Sequence, residues 1–210
     1  MSSAAKKNIY KTTSTNNSPH YEGFLLSKLM RLKMKEQQKK YELTDEFIEH
    51  WSGKKLYRIR ALVTFGAVVA GQLGGFVESE KNLDQSLSGN AWVYGEAEVS
   101  GNARVSGNAR VYGEAEVYGE AEVYGNARVR SYAVISERKM IFWASNVGSE
   151  NGTLTVFNGK DGLIVTRGCF TGTIDEFLAK SAEVHDDKTK NEYKLLIKVA
   201  KSRILGVKDE

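Results

Sequence analysis

Residues 93–128 read VYGEAE VSGNAR VSGNAR VYGEAE VYGEAE VYGNAR, six hexads in unbroken succession. Each hexad opens on valine, places glycine third and places alanine fifth, so three residue types keep one period of six. Neither the 3.6-residue period of an α-helix nor the alternation of a half-buried strand reproduces that spacing. The pattern continues outward to Leu87 with Ala91 on one side and to Val129, Ala133 and Ile135 on the other. Two inward positions per hexad, one branched and one small, suit a narrow coil. The valine fills the interior and the alanine lets the wall turn close to it. Gly89, Gly95, Gly101, Gly107, Gly113, Gly119 and Gly125, each followed by Asn or Glu, suit corners with unusual backbone torsions.

The motif resembles the hexapeptide repeat of left-handed parallel β-helix proteins, in which three hexads complete one triangular turn. Left-handed parallel crossovers are rare in general, so the repeat and not topology carries the assignment. The chain departs from that family's acyltransferase pattern in having Tyr or Ser after the aliphatic residue, with glycine one step later. Nine aliphatic positions imply about three turns, the least that makes a stable stack. The expected fold is mainly β: a left-handed parallel β-helix with a small N-terminal cap and an α+β C-terminal unit. Boundaries follow at 1–40 for a disordered and basic helical extension, 41–86 for the cap, 87–136 for the coil and 137–210 for the C-terminal unit.

The outer wall is read by stepping 18 residues, which stacks side chains about 4.8 Å apart in successive turns. Asn90, Asn108 and Asn126 form one ladder, and Trp92, Arg110 and Arg128 another. Tyr94 stacks on Tyr112, Glu98 on Glu116, and Ser100 meets Tyr118. Ladders of this kind are ordinary solvated walls of a repeat, but aromatic and arginine side chains are also the residues that anchor interfaces. Trp92, Tyr94, Arg110, Tyr112, Tyr118, Tyr124 and Arg128 are therefore the candidate partner surface.

The flanks are non-repeating. Residues 1–20 are rich in Ser, Thr, Asn and Lys and too poor in apolar side chains to offset the entropy of ordering. Leu25, Leu29 and Leu32, interleaved with Arg31, Lys33 and Lys35, predict a basic amphipathic helix. The chain from Met34 onward would also make a complete protein, so residues 1–33 read either as part of the functional chain or as an upstream extension. In the cap, Phe47, Ile48 and Trp51 form an apolar patch on a turn-and-helix segment, and Tyr57, Ile59, Ala61 and Val63 alternate as a strand does. In GQLGG no Lys-Ser/Thr follows, so the glycines read as a tight turn and not a phosphate loop. After Ser136 come strand-like runs at MIFWAS, TLTVF and LIVTRGCF with NGKDG as a turn. Two helices follow, with capping boxes at Thr173/Glu176 and Thr189/Glu192, and the second carries Tyr193, Leu196, Val199, Ala200 and Ile204 as an apolar stripe. From about Tyr41 onward the arrangement LYRIRAL, GQLGGFVESEKNL, hexads and strand-strand-helix tail resembles a group of uncharacterised phage and prophage proteins, which implies a bacterial or viral origin.

Chemistry is sparse. The chain has three histidines, His20, His50 and His185, in separate segments outside the coil, whereas hexapeptide acyltransferases set a histidine base beside a coenzyme A groove and the related carbonic anhydrases use three as zinc ligands. Cys169 is the single cysteine; beside Leu163, Ile164 and Val165 it reads as a buried packing residue, and one cysteine fits a reducing compartment. Catalytic, metal-binding and cofactor-binding residues are accordingly assigned to none. No apolar stretch approaches the roughly 20 residues that span a bilayer, which points to a soluble, cytoplasmic protein of a bacterial host cell. The net charge is +4, with an excess of +7 in residues 1–60 and −3 in the rest. A basic end of that kind is a footprint for phosphate contacts, but no reading helix accompanies it. The expectation is a non-enzymatic binding protein that engages a macromolecular partner, a host or defence protein among them, and that assembles as a homo-oligomer, a trimer by analogy with other hexapeptide coils. An acyltransferase-like enzyme and a nucleic-acid-binding protein acting through the basic N-terminal region are the alternatives.

Overall fold

A computed structural model describes residues 38–206; the expected disordered lead and nearly all of the basic helix fall outside them. The fold is mainly β, a solenoid of about three turns followed by a four-stranded sheet and two helices. The repeat strands are two-residue rungs: β4 (Trp92–Val93), β5 (Glu98–Val99), β6 (Arg104–Val105), β7 (Arg110–Val111), β8 (Glu116–Val117), β9 (Glu122–Val123), β10 (Arg128–Val129) and β11 (Val134–Ile135). They pair in parallel at 18-residue offsets, β4 with β7 and β10, β5 with β8 and β11, and β6 with β9, which makes three walls. Val93 to Val129 and Ala91 to Ala133 at the repeat positions are all buried, so both inward series pack as the hexad pattern requires.

The solenoid begins earlier than the periodicity indicates. Val77, in β3 (Leu73–Val77), pairs with Val99, and Leu83 bridges to Val105, each at an offset of 22 residues. Four extra residues between Leu83 and Val93 displace the register, and Leu87 is 40% exposed instead of pointing inward. The displaced loop has its own work. Gln85 Oε1 accepts from the backbone N–H of Lys40 and Tyr41 while its Nε2 donates to the Tyr41 carbonyl.

Glycine in β3 serves close approach, not turning. A Cβ on Gly75 would lie 2.4 Å from the Ala97 carbonyl oxygen, and one on Gly74 would lie 2.6 Å from that of Val93. Of the glycines in this stretch, Gly71 alone makes the left-handed turn the sequence suggests, with φ +86°. Corner glycines of the hexads do adopt positive φ from Gly95 through Gly125. Ser131 occupies the next corner with φ +61°, a conformation in which its Cβ is crowded. Ser131→Gly is expected to stabilise the fold by about 0.5–1 kcal/mol in chemical denaturation, because relief of strain outweighs the added freedom of the unfolded chain.

Both ends of the solenoid are closed. At the N-terminal end β1 (Tyr41–Glu49) and β2 (Lys55–Ala61) form an antiparallel meander with β3, so the segment read as turn-and-helix is strand. At the other end β12 (Ile141–Val147), β13 (Gly152–Gly159), β14 (Gly162–Arg167) and β15 (Phe170–Thr173) make an antiparallel sheet. Ile141 and Phe157 join the solenoid core, whereas Leu154, Val156 and Val165 pack with Phe177, Tyr193 and Ile197 of the helices α1 (Ile174–Val184) and α2 (Asp187–Leu205). Free backbone groups of the last turn are met by buried side chains: Arg128 N–H donates to Thr155 Oγ1 at 3.1 Å, and Thr166 Oγ1 donates to the Arg128 carbonyl at 2.7 Å. Asn158 Nδ2 donates to the Val134 carbonyl at 3.1 Å. An open solenoid edge would otherwise be a template for further strands.

Thr173 and Glu176 form the expected capping box on α1. The second helix starts sooner than predicted, capped by Asp186, whose carboxylate accepts from Thr189 N–H at 2.8 Å. Its buried stripe runs Thr189, Tyr193, Ile197, Ala200 and Ile204, and Val199 is 53% exposed. Cys169 sits exposed in the turn between β14 and β15, so the packing role expected from its apolar neighbours is not realised. No helix among the described residues is long and apolar enough to cross a membrane.

Lys40 and Tyr41 are fully buried at the N-terminal end, where Lys40 Nζ donates to the Ala91 carbonyl at 3.2 Å and lies 5.0 Å over the Phe65 ring. Burial lowers the Lys40 pKa to about 8 despite the nearby Asp84, and burial raises that of the Tyr41 phenol, helped by Glu80 and Asp84. Between about pH 8 and 10 the unfolded lysine holds a proton the folded one has lost, so stability rises with pH. Above pH 10 the unfolded tyrosine ionises first and stability falls. Denaturation midpoints are expected to peak near pH 10, and Lys40→Met should flatten the rising limb.

Candidate functional site

Each turn has three corners, and the residue after each valine sits at one. The candidate surface residues divide among them. Tyr94, Tyr112 and Arg130 follow the β4, β7 and β10 rungs; Tyr118 follows β8; Tyr124 follows β9. They are not one surface.

The first corner and its adjoining wall form a continuous strip. The rings of Tyr94 and Tyr112 stack with centroids 4.4 Å apart and planes 8° from parallel. Arg110 Nη1 donates to Tyr112 Oη at 3.5 Å, and the Arg130 guanidinium lies 5.4 Å over the Tyr112 ring. Arg128 is the rung partner of Arg110 in parallel register, so the two point outward from one wall. Burial, and then the neighbouring Tyr112, push the Tyr94 pKa up, while the hydrogen bond to Tyr112 raises that of Arg110. Tyr94 is thus neutral and Arg110 charged at neutral pH. Arg58, Arg60, Arg138 and Arg167 each have a carboxylate within 4.0 Å, but among the described residues Arg110, Arg128 and Arg130 have none.

Trp92 completes the Trp92, Arg110, Arg128 ladder in register but is not part of the open surface. It is fully buried, edge-on to Tyr41 at 6.0 Å and to Phe65 at 5.5 Å, with its indole N–H lacking a hydrogen-bond partner among the described residues. The segment 62–72 that carries Phe65 folds over it. On that wall the open surface therefore starts at Arg110, one rung later than the sequence alone suggests, while at the corner it still begins with Tyr94.

At the second corner Tyr118 meets Trp51 edge-on at 6.0 Å, and Trp51, 74% exposed, lies 4.9 Å from His50. His50 is buried, hydrogen-bonded through Nδ1 to Ser52 Oγ at 2.7 Å, with Nε2 3.7 Å from Glu98. Burial and then the stacked Glu116 raise the Glu98 pKa. These contacts fasten the β1–β2 hairpin to the solenoid. The Asn ladder forms as expected, with Asn90 Nδ2 donating to Asn108 Oδ1 and Asn108 Nδ2 to Asn126 Oδ1, each at 3.2 Å.

His185 ends α1 and packs edge-on to Tyr193 at 5.4 Å, while the neighbouring Asp186 is engaged as the α2 cap. No group of three or more His, Cys, Asp or Glu able to hold a metal occurs among the described residues.

At the third corner Tyr124 meets Trp143 edge-on at 4.4 Å beside a cavity lined by Arg138, Lys139, Lys198 and Arg203. Those cations come from a 3-10 turn (Arg138–Met140) and the end of α2, segments with no shared sequence period. Nothing in the hexad pattern marks them.

No family model matches the chain, and comparison with curated proteins returns no match.

Proposed function

We propose that the protein is a non-enzymatic binding protein whose solenoid presents Tyr94, Tyr112, Arg110, Arg128 and Arg130 to an acidic surface on a protein partner. The observation that carries this reading is the trio of outward arginines without a carboxylate neighbour among the described residues, laid against two stacked tyrosines. Guanidinium groups grouped in this way repel one another, and carboxylates from a partner relieve the repulsion through bidentate hydrogen bonds. Tyr112 restrains Arg110 and Arg130 beforehand, so less side-chain entropy is lost on docking. The rungs beneath supply a rigid backing.

The proposal extends to a left-handed coil of the hexapeptide type, to association as a trimer and to a partner that is a host or defence protein of an infected bacterium. The repeat supports the handedness and the trimer by analogy; the resemblance to phage and prophage proteins supports the setting.

Capture from a bacterial lysate treated with nuclease tests the reading. The expected outcome is an acidic protein retained in stoichiometric amount by the wild type and lost with Arg110→Glu/Arg130→Glu. Material that disappears on nuclease treatment would make nucleic acid the partner and overturn it.

A further inference from the structure

The C-terminal cap closes the solenoid core but engages the backbone edge of the last turn on only two of the three walls. On the first wall the Arg128 N–H and carbonyl are taken by Thr155 and Thr166, and on the second the Val134 carbonyl accepts from Asn158. The third wall is a two-stranded sheet, and its last rung, β9, pairs with β6 alone. Between those two rungs the ladder is regular: Arg104 N–H donates to the Ala121 carbonyl at 2.9 Å and Ser106 N–H to that of Val123 at 3.0 Å, one turn further on. By the same step, Glu122 N–H and Tyr124 N–H are aimed at the places that the carbonyls of Lys139 and Ile141 would hold. Neither carbonyl receives them, because the chain there is drawn into the 3-10 turn and leaves in β12 to pair with β13. The Ile141 side chain is still buried in the solenoid core. Among the described residues the Glu122 N–H and carbonyl and the Tyr124 N–H thus have no hydrogen-bond partner.

This edge borders the open groove of about 1070 Å³ at the third corner. Arg138 and Lys139 stand on one side of it and Val199 and Arg203 of α2 on another, with Tyr124 and Trp143 along the corner. We propose that the groove seats one extended segment of a partner polypeptide, which adds to β9 as a further strand. A donor, an acceptor and a donor in line along a strand are complemented by another extended backbone, which offers acceptor, donor and acceptor at the same spacing. Unpaired edges of this kind are templates for strand addition, and the other two walls shut theirs with side chains. The mixed polar and apolar lining suits such a ligand: its main chain bonds to the edge, while alternate side chains meet the Tyr124 and Trp143 rings and the exposed Val199. Apolar residues at alternate positions are therefore the chemistry selected. Charge is not, since Arg138 lies 2.7 Å from Glu122 and Lys139 lies 3.2 Å from Glu137. A second copy of this chain fits poorly, because its own β9 edge lies in the same groove beside α2 and two recessed edges cannot meet. The site is on other residues than the arginine–tyrosine strip and does not depend on the acidic-partner reading.

Amide hydrogen exchange on the full chain, followed residue by residue by NMR, is the first part of the test. In the free protein the Glu122 and Tyr124 amides should exchange at least about tenfold faster than those of Arg104 and Ser106, which are bonded in the ladder. Equal protection of all four would mean that the chain fills its own edge, and would overturn the proposal. A library of random dodecapeptides is then panned on the full chain and the selected peptides are synthesised. The expected result is peptides with apolar residues at alternate positions that bind one to a chain and slow the Glu122 and Tyr124 amides by at least about tenfold. Tyr124→Pro removes a donor that the fold does not use, and should weaken binding about tenfold more than Tyr124→Ala, which keeps it. Should the proline variant fail to fold, Val199→Glu gives an independent reading on an exposed face of α2, with about a tenfold loss of affinity at an unchanged melting temperature. A library that yields no saturable binder would overturn the proposal, as would peptides that leave both amide rates unchanged or bind the Val199→Glu variant as well as the wild type.

Discussion

Gly75→Ala destabilises the protein by at least ~3 kcal/mol, enough to lower the melting temperature of a domain this size by roughly 6–12 °C. The added Cβ would stand 2.4 Å from the Ala97 carbonyl oxygen and 2.7 Å from Val93 Cγ1, both held by the solenoid core. Neither neighbour is the loose end of a flexible side chain. Relief would require β3 to lift from β5, which breaks the junction between the N-terminal meander and the coil. Gly71→Ala separates this effect from simple turn strain. There φ is +86° but nothing lies within 4 Å of the new Cβ, so a cost of about 1 kcal/mol is expected. Equal losses at the two sites would contradict the close-approach account.

Arg110→Glu/Arg130→Glu lowers affinity for the protein partner about 100-fold, or about 2.8 kcal/mol at 1.4 kcal/mol per decade. Each reversal removes a donor and places a like charge before the partner's carboxylates, a change of the size seen at interface anchors. Arg110→Lys should fall between the wild type and the reversal, since a lysine keeps the charge but loses the fork. The double variant should melt within a few degrees of the wild type, because neither arginine has a carboxylate partner among the described residues and only the weak contacts with Tyr112 are lost. Affinity of the wild type should also decline with salt.

How much of this was legible in the sequence depends on which residues repeat. Valine and alanine recur every six positions because one backbone geometry recurs, so inward packing, corner glycines and the Asn, Tyr and Arg ladders could all be read by counting. The first turn could not. Val77 and Leu83 keep the six-residue step between themselves, but the four-residue insertion before Val93 removes them from the visible phase. Leu87, which happens to fall on that phase, is exposed instead. Trp92 illustrates a different limit. Its ladder position was correct, yet exposure depends on segment 62–72, whose Phe65 and Val68 fold over the wall through non-local contacts. The cationic cavity is the extreme case, since Arg138 and Arg203 share no local pattern and meet only because α2 packs back across the sheet.

Side-chain footprinting by hydroxyl radicals on the captured complex tests the docking face most directly, because it reports exposed rings whatever the backbone does. The account predicts that Tyr94 and Tyr112 oxidise more slowly in the complex than in the free protein, while Tyr118 and Trp51 on the second corner keep their free rates. Unchanged rates at Tyr94 and Tyr112, with protection at Trp51 and Tyr118, would place the partner on the wrong corner and contradict it.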